Sequence, residues 1–581
     1  MPRSATLSPP IAWVEGAFAE PEVTPNTMKI SAQAKSESRP SEVRQDGMPG
    51  AVSARLEAVF EKFERFGGLV ESAMIRKPWV SVVVISIAFL VCTSLKAVRG
   101  QLWTDEILTR YIAGLPGFDA IWKALAAHVE SSPPLFHLVS RLSGITLGWT
   151  PFGLRFPAIV GYLTMILCVY FIVRHYIGPL YAAIGALASY LTYAPYYATR
   201  ARPYGLLLGL TCIALVCWQQ AARQRMRWLA LTGLCLGLAC ALGMHFYAVL
   251  LFAAIAFGEL VRSWRTRRID WLVWLALLVA TTPLLLFLPL IRANQVLAQG
   301  YFSPATLSHF VESMALFYMP KNGVLGATFV IIAGACILMF GRREAQPPVT
   351  LEAPAAHEVA AWVALLLAPI AALIAGKLVT GIFHHRYAII TIIGFSILLP
   401  FCLQRLFRNS RAAPLSALLV LVVCFAGWFA VREQAEAETN DVSTGLAHWL
   451  RTTDVLRLPV VVADPVTYLP LAHNAARELG DTLVYIADPK EALHYTGKTS
   501  ADYNLEGLRT IAPLNLPTYS GFTKAHRQFL VLWQVSDIDW IVPKLQDAGA
   551  QLRLYGAQGG RLLFLVNLPA PATPSADSLT R

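Results

Sequence analysis

Two adjacent carboxylates, Asp105 and Glu106, are the residues of this 581-residue chain best suited to acid–base chemistry. They follow Thr104, shortly after a long apolar stretch. If that stretch crosses a membrane, an acidic pair near its end is costly unless water solvates it or the protein uses it. The catalytic interpretation is a general base that takes a proton from an acceptor hydroxyl. The structural interpretation is a helix N-terminus, in which Thr104 or Asp105 caps the run from Ile107 to Ala113. The two are compatible.

A second polar group comprises His128 and Glu130, which precede the pair Pro133-Pro134. Two consecutive prolines restrict the backbone and thereby hold the side chains before them in place. We expect His128 and Glu130 to join Asp105 around a sugar or a metal ion. Their spacing is not that of a dedicated metal site, so a divalent cation is an open alternative and no other cofactor is indicated. The alternative for His128 is a solvated loop histidine.

Three arginines, Arg155, Arg202 and Arg386, are predicted on the same face as the carboxylates. The planar guanidinium offers a fork of donors that suits phosphate. The alternative is that each arginine extends to lipid headgroups. Arg202 and Arg386 lie beside Tyr204 and Tyr387 in the sequence. We therefore predict that the three arginines and the two tyrosines bind a lipid phosphate that carries a sugar.

The composition is that of a protein with several membrane spans. Hydrophobic residues make up 56% of the chain and charged residues only 14%. The net charge of +12 arises largely from basic clusters at the ends of apolar runs, as the positive-inside rule requires, so we expect membrane lipid and no nucleic acid as a partner. The nine cysteines lie in apolar segments, which indicates neither zinc sites nor a disulfide framework.

About eleven apolar segments have the length of about 20 residues that a membrane span needs. The alternation of basic clusters puts the N-terminus in the cytoplasm and the C-terminus outside. Residues 132–148 are apolar but open with prolines and contain His137 and Arg141, so we predict a helix at the outer membrane–water boundary. The predicted spans are 79–98, 155–174, 178–197, 204–222, 228–244, 246–262, 271–291, 324–341, 359–379, 387–406 and 412–430.

The fold class that follows is mainly α, a polytopic transmembrane helix bundle with a small C-terminal α/β domain outside the membrane. Apolar runs over 458–464, 482–487, 529–533 and 562–568 indicate the strands of that domain. The predicted organisation is a disordered cytoplasmic tail over 1–50, a cytoplasmic amphipathic helix over 51–77, a transmembrane catalytic domain over 78–430 with an outer loop at 99–154, and the α/β domain over 431–581. The amphipathic helix is predicted to lie on the membrane surface, and the alternative is a cytosolic helix that self-associates.

The motifs, taken in order, resemble the C-type (GT-C) glycosyltransferases. The branch most similar to this pattern is the bacterial group of dolichyl-phosphate-mannose protein mannosyltransferase-like enzymes, which includes aminoarabinose and lipopolysaccharide-core galacturonic acid transferases. The resemblance covers residues 75–290 and, more weakly, 380–400. It rests on Trp103-Thr104-Asp105-Glu106, Pro133-Pro134-Leu135, Leu154-Arg155-Phe156-Pro157, Ala201-Arg202-Pro203-Tyr204, Met244-His245-Phe246-Tyr247 and Arg386-Tyr387.

The resemblance implies an inverting transfer of a sugar from a polyprenyl-phosphate carrier to a hydroxyl of a lipid, glycan or protein on the outer face. Asp105 matches the catalytic carboxylate of the family, and Glu106 would support it or hold the acceptor. Arg155 resembles an arginine near the donor phosphate, while Arg202 and Arg386 would assist the leaving phosphate. His245 would contact substrate. Ser132 stands where several relatives have Lys or His, which leaves the sugar open.

Two other classes compete with a glycosyltransferase. A transporter should show an internal repeat and ionisable residues near the middle of the membrane, whereas here the polar residues gather at one face. A non-catalytic scaffold that presents the C-terminal domain leaves the acidic pair and the outer arginines unexplained. We therefore expect an enzyme.

Overall fold

The protein is described from a computed structural model that covers residues 50–298, 301, 303–318, 353–407, 410–453, 458–475 and 479–569. The predicted tail over 1–50 and the predicted span 324–341 therefore lie outside the described residues, apart from Gly50. The described part is mainly helical. Its first helix, Gly50–Arg76, coincides with the predicted amphipathic segment, and its placement on a membrane surface stays a prediction.

Seven described helices are long and apolar enough to cross a membrane, which makes this a multi-pass membrane protein. A bent pair, Ala356–Leu366 with Ala368–Thr380, would be an eighth span, with an angle of 53° between its halves. The seven are Pro78–Arg99, Pro151–Ile177, Tyr204–Ala222, Arg227–Met244, Phe246–Thr266, Trp271–Leu297 and Ala412–Val431.

The predicted count of eleven spans is not reached within the described residues. The predicted span 178–197 is a shorter apolar helix, Pro179–Leu191, followed by a 3-10 segment that begins at Ala194. The predicted span 387–406 is the helix Thr391–Leu406, which follows a 3-10 turn at His385–Ala388. Tight 3-10 turns replace the α-helix at both places, so sequence hydropathy alone overestimates the helical length.

The outer loop forms three short helices that no described span includes. They are Thr104–Ala113, Phe118–Ala126 and Pro134–Leu147. The last has 14 residues, fewer than a span needs, and it begins at the second proline of the predicted pair. The remaining helices before the C-terminal segment are Pro179–Leu187, Val249–Thr266, Trp271–Ala280, Thr282–Ala293, Leu307–Tyr318, Ala368–Ala375 and Ala412–Thr452.

Glycines bring two of the spans, Pro151–Ile177 and Tyr204–Ala222, into close contact. A Cβ atom on Gly161 would lie 2.3 Å from the Cα atom of Leu206, and one on Gly209 would lie 2.5 Å from the Gly161 carbonyl oxygen. Small residues at helix crossings allow backbones to approach, which is a main source of stability between helices in lipid. This contact fixes the separation of the helix ends that carry Arg155 and Tyr204.

The segment after residue 458 contains a sheet of five strands, β1 (Val460–Val462), β2 (Leu483–Val484), β3 (Gln528–Trp533), β4 (Gln551–Gln558) and β5 (Arg561–Asn567). Their order in the sheet is β2-β1-β3-β5-β4. Its first three strands are parallel and its last two pairings antiparallel. Four strands fall on the four apolar runs, whereas β4, a mostly exposed strand, was not predicted.

Helices surround this sheet and connect it to the outer loop through one hydrophobic core. That core combines Ile107 and Leu125 of the loop with Val461 and Leu530 of the sheet. At the junction a Cβ atom on Gly507 would lie 2.4 Å from the Ala127 carbonyl oxygen. The loop and the sheet therefore pack as one body. The helices are Pro465–Asn474, Pro489–Thr496, Ser500–Leu508, Tyr519–Ala525 and Ile541–Asp547.

Asp502 is a buried carboxylate within this C-terminal segment. Its Oδ1 accepts hydrogen bonds from the Tyr485 hydroxyl and the Trp540 indole, both at 3.1 Å. Burial raises the pKa of Asp502 to about 7 even though these donors oppose the shift. In an unfolded chain the pKa of an aspartate is about 4, so between these values the folded state binds more protons and stability falls as pH rises.

We predict that Asp502→Asn flattens this dependence of stability on pH. The amide oxygen still accepts both hydrogen bonds, but there is no charge to bury above pH 7. Thermal unfolding of the purified protein between pH 4 and pH 8 measures the slope. Asp119→Asn, which changes a carboxylate that is 80% exposed, is the control and should leave the slope unchanged. Equal slopes for the wild type and Asp502→Asn would contradict the prediction.

Candidate active site

The acidic pair lies in the first turn of the helix Thr104–Ala113, whose N-cap residue is Trp103. The prediction that Thr104 or Asp105 caps this helix is wrong. The Thr104 hydroxyl donates instead to the Val466 carbonyl oxygen at 3.3 Å, and the Glu106 carboxylate accepts the Trp103 N–H at 3.0 Å. A carboxylate in the third helical position can reach back in this way and satisfy a free backbone donor.

Glu106 and Arg155 form a buried bidentate ion pair. Arg155 Nε donates to Glu106 Oε1 and Arg155 Nη2 donates to Glu106 Oε2, both at 2.7 Å. Both side chains are 1% exposed. Two parallel hydrogen bonds between ionised partners give the strongest and most directional form of this contact.

Two further groups complete the surroundings of Glu106. The Ala201 N–H donates to Oε1 at 2.7 Å, and Arg200 Nη1 donates to Oε2 at 3.3 Å. Burial alone would raise the pKa of Glu106, but Arg155, Arg200 and the Ala201 N–H lower it to about 2. Glu106 is therefore ionised and enclosed, which suits it to hold the site together and not to exchange protons.

Arg155 lies among acceptors that use every N–H of its guanidinium. Besides the two bonds to Glu106, Nη1 donates to the carbonyl oxygens of Ala97 and Gly100, and Nη2 donates to that of Gln101. Arg155 therefore has no free N–H with which to make the predicted contact with the phosphate of the sugar carrier. The reason is its position beside the C-terminal end of the first span, whose carbonyl groups need partners.

Asp105 points away from that buried cluster and is accessible. Its side chain is 41% exposed, and its Oδ2 lies 3.4 Å from Arg386 Nη1 and 3.8 Å from Arg202 Nε. These distances are long for ion pairs between charged hydrogen-bonding groups. Two of the predicted arginines thus meet around one solvent-accessible carboxylate, although Arg386 lies 281 positions after Asp105 in the sequence.

Arg202 links Asp105 to the second predicted carboxylate. Its Nη1 lies 2.6 Å from Glu130 Oε1, and Glu130 is buried and also lies 3.6 Å from the His137 imidazole. Burial, opposed by Arg202, raises the pKa of Glu130, while burial lowers that of His137 to about 3. The neutral His137 shares a 2.9 Å hydrogen bond with Ser132. Glu130 therefore balances the charge of Arg202.

Arg202 and Arg386 each retain a buried Nε–H without a hydrogen-bond partner among the described residues. Both side chains are mostly buried, at 12% and 17% exposed. An unsatisfied buried donor on a charged group carries a desolvation penalty of about 1–3 kcal/mol or more. An anion with several oxygens, placed beside Asp105, would accept hydrogen bonds from both Nε–H groups and so remove this penalty.

Aromatic side chains form the wall beside Arg386. The Tyr301 hydroxyl accepts a hydrogen bond from Arg386 Nη2 at 2.9 Å and shares one of 3.0 Å with the Tyr387 hydroxyl. The Tyr387 ring stacks on Tyr247 with centroids 4.6 Å apart. The predicted residues His245 and Tyr204 join this wall, because the His245 ring lies 5.4 Å from those of Tyr204 and Tyr387.

His128 lies at a different contact from the one predicted. Its ring nitrogen shares a 3.2 Å hydrogen bond with Asn294, and its ring packs against Tyr503 of the C-terminal segment. Its φ angle of 65° is in the left-handed region, which marks a tight turn. These contacts make His128 part of the junction between the outer loop and the C-terminal segment.

No group of three or more His, Cys, Asp or Glu side chains in the described ranges is arranged to hold a metal ion. The carboxylates of the site face arginines, which compete with a cation for the same oxygens. The divalent cation that the sequence left open therefore finds no such group of ligands among the described residues.

Sequence reasoning did not select three residues of this site, namely Arg200, Tyr301 and His137. Arg200 carried a signal, since it stands two positions before Arg202 in a segment already singled out. Tyr301 and His137 carried none, because an isolated tyrosine in a loop and a histidine in an apolar helix are common in proteins of any function.

Comparison with known families supports the resemblance over part of the chain. Residues 131–291 match the family model described as dolichyl-phosphate-mannose-protein mannosyltransferase. This confirms, for that region, the resemblance to C-type glycosyltransferases indicated by the motifs. The match covers less than half of the chain and includes Arg155, Arg202 and Tyr204. Among curated proteins, none matches the sequence.

The solved structures that match the chain include ArnT from Cupriavidus metallidurans and an oligosaccharyltransferase from Archaeoglobus fulgidus. Apo ArnT has 14% identity and a TM-score of 0.46, over 84% of this chain and 98% of that one. ArnT bound to undecaprenyl phosphate has 16% identity and a TM-score of 0.44, with the same coverage of both chains. The oligosaccharyltransferase, solved with zinc and sulfate, has 12% identity and a TM-score of 0.41, over 78% and 68%.

We predict that Glu106→Gln destabilises the protein strongly. The change leaves Arg155 charged and buried without its counter-ion, a loss typically of about 3–5 kcal/mol. Thermal unfolding of the purified variant should show a clear fall in the unfolding temperature. The control is Glu61→Gln, because Glu61 forms a 3.0 Å pair with Arg65 that is mostly exposed. Exposed pairs contribute about 1 kcal/mol or less. Similar unfolding temperatures for both variants would refute the structural role of the buried pair.

Proposed function

We propose that the protein is an integral-membrane glycosyltransferase that moves a sugar from a polyprenyl-phosphate carrier to a hydroxyl of a lipid, glycan or protein. The observation that supports this most directly is the accessible Asp105 carboxylate between two arginines that have unsatisfied donors. It combines a base with an anion site, the two functions that glycosyl transfer from a phosphate requires. The family match over residues 131–291 points to the same chemistry.

In the proposed reaction Asp105 acts as the general base. One carboxylate oxygen accepts the proton of the acceptor hydroxyl, whose oxygen attacks the anomeric carbon of the sugar. The bond between that carbon and the phosphate oxygen breaks, and its electron pair stays on the phosphate. Attack from the side opposite the leaving group inverts the anomeric configuration. A positioned base of this kind contributes typically about 100-fold to 10,000-fold.

Arg202 and Arg386 are the proposed partners of the leaving phosphate. Their pairs with Asp105 are long, so a phosphate can draw the guanidinium groups away from the carboxylate at little cost. Each donor placed on a developing charge in an enclosed site contributes about 3 kcal/mol. Tyr387, Tyr204 and His245 form the wall against which we propose the sugar or the first carrier unit packs.

Glu130, Glu106 and Arg155 are proposed as positioning residues. Glu130 holds one edge of Arg202, which leaves its Nε–H directed to other ligands. Glu106 and Arg155 fix the first turn of the helix that carries Asp105. The resemblance to the bacterial mannosyltransferase-like group implies a bacterial inner membrane. The basic clusters favour a cytoplasmic N-terminus, and with that orientation we propose that this site and the C-terminal α/β segment lie on the outer face.

We predict that Asp105→Asn retains its folding but loses transfer by at least about a hundredfold, because an amide does not accept the proton. Purified protein is incubated with a panel of polyprenyl-phosphate sugars, with and without chelator, and release of polyprenyl phosphate is measured. Asp119→Asn is the matched control, since Asp119 also lies in the first turn of an outer-loop helix. Wild-type turnover by Asp105→Asn would exclude the proposed base. No turnover of any donor by the wild type would favour a scaffold.

Arg386→Gln should lower kcat by about a hundredfold with a smaller change in donor KM, because the contact strengthens as charge develops on the phosphate. Arg386 is preferred to Arg202 for this test, since removal of Arg202 would leave Glu130 buried without its partner. Arg386→Lys keeps the charge without the planar fork, so its kcat should lie between those of the wild type and Arg386→Gln. Steady-state kinetics with the active donor measure both constants, and unchanged kinetics in Arg386→Gln would make Arg386 a lipid-headgroup anchor.

A further inference from the structure

A groove that shares no residue with the candidate active site lies where the helix Val249–Thr266 turns into the helix Trp271–Ala280. Its volume is about 460 Å³. Three tryptophans, Trp264, Trp271 and Trp274, form most of its wall together with apolar side chains. Trp264 and Trp271 are 67% and 72% exposed. So large an apolar surface beside the end of two membrane helices is typical of the membrane–water boundary, where tryptophan is enriched.

The carboxylates near the groove are already neutralised by two arginines. Arg262 Nη2 lies 2.8 Å from Glu259 Oε1 and 2.6 Å from Asp270 Oδ2, and Arg227 Nη2 lies 2.7 Å from Asp270 Oδ1. Among the described residues, no acidic side chain at this turn is left to balance further positive charge.

Three more arginines occupy the same turn without such partners. Arg265, Arg267 and Arg268 are exposed, and none has an ion pair among the described residues. Arg267 lines the groove and directly follows the helix Val249–Thr266, with a φ angle of 55°. Ser263 also lines the groove, and its hydroxyl has no hydrogen-bond partner in the described part of the chain. The groove is therefore apolar inside and cationic at its rim.

We propose that this groove binds one anionic membrane lipid, with an acyl chain against the tryptophans and the phosphate at Arg267, assisted by Arg265 and Arg268. The charge pattern selects the occupant: an apolar groove alone would accept any lipid, and three unpaired guanidiniums favour a negative headgroup. Each arginine near a phosphate surface adds about fivefold to the affinity. The site shares no residue with the one around Asp105, so it does not depend on the proposed function.

The experiment is lipid retention by the purified full-length chain, measured by native mass spectrometry with added phosphatidylglycerol or phosphatidylcholine. The wild type should retain one phosphatidylglycerol at least about tenfold more tightly than phosphatidylcholine. The double variant Arg267→Gln, Arg268→Gln should lose that preference, and Trp271→Ala should weaken retention of both lipids. Glycerol 3-phosphate should not compete, because it lacks the acyl chain.

Matched controls lie on the neighbouring turn. Arg225 is exposed and Trp228 is 72% exposed, the same fraction as Trp271, yet neither lines the groove. Arg225→Gln and Trp228→Ala should leave retention unchanged. Equal retention of the two lipids, equal losses in controls and groove variants, or full competition by glycerol 3-phosphate would each overturn the proposal. Full competition by glycerol 3-phosphate would identify a site for free anions. Equal losses in the controls and the groove variants would indicate a general attraction of the basic face to the membrane.

Discussion

The buried ion pair between Glu106 and Arg155 is the contact on which the candidate site depends. The guanidinium accounts for two of the five donors to Glu106, and the remaining three come from Trp103, Arg200 and Ala201. Through this pair the end of the first span, the outer-loop helix, the second span and the segment before the third are held at one point. Buried charges are stable only when hydrogen bonds satisfy all their groups, and here they do.

This arrangement gives two adjacent acids opposite properties. Glu106 is enclosed by donors, and its pKa is lowered to about 2, so it is a fixed negative charge. Asp105 lies one residue earlier, about 100° around the same helix, and reaches solvent between two loosely paired arginines. One carboxylate thus fixes the geometry, and its neighbour is available to a substrate. A reactive group positioned by rigid neighbours needs little rearrangement when its ligand binds.

Residue type and position in the sequence predicted that Asp105, Arg202 and Arg386 lie on one face, and the structure brings these three side chains together. It did not reveal that Arg155 turns inward, because the choice between a phosphate and Glu106 depends on a contact across 49 positions. The helices Pro179–Leu187 and Thr391–Leu406 are shorter than the spans predicted there for another reason: hydropathy detects apolar length but not 3-10 turns. β4 was missed because an exposed strand has no continuous apolar run.

The glycine contact between two spans explains why the arginines of the site are held at different depths. Gly161 and Gly209 bring the helices together so closely that a Cβ atom at either position would clash with the backbone of the partner helix. Arg155 is carried into the buried cluster by the first of these helices, while Arg202 precedes the second and stays beside Asp105. A cation that is fixed but unsatisfied favours a ligand anion, because ordering and desolvation of the guanidinium are already complete in the folded protein.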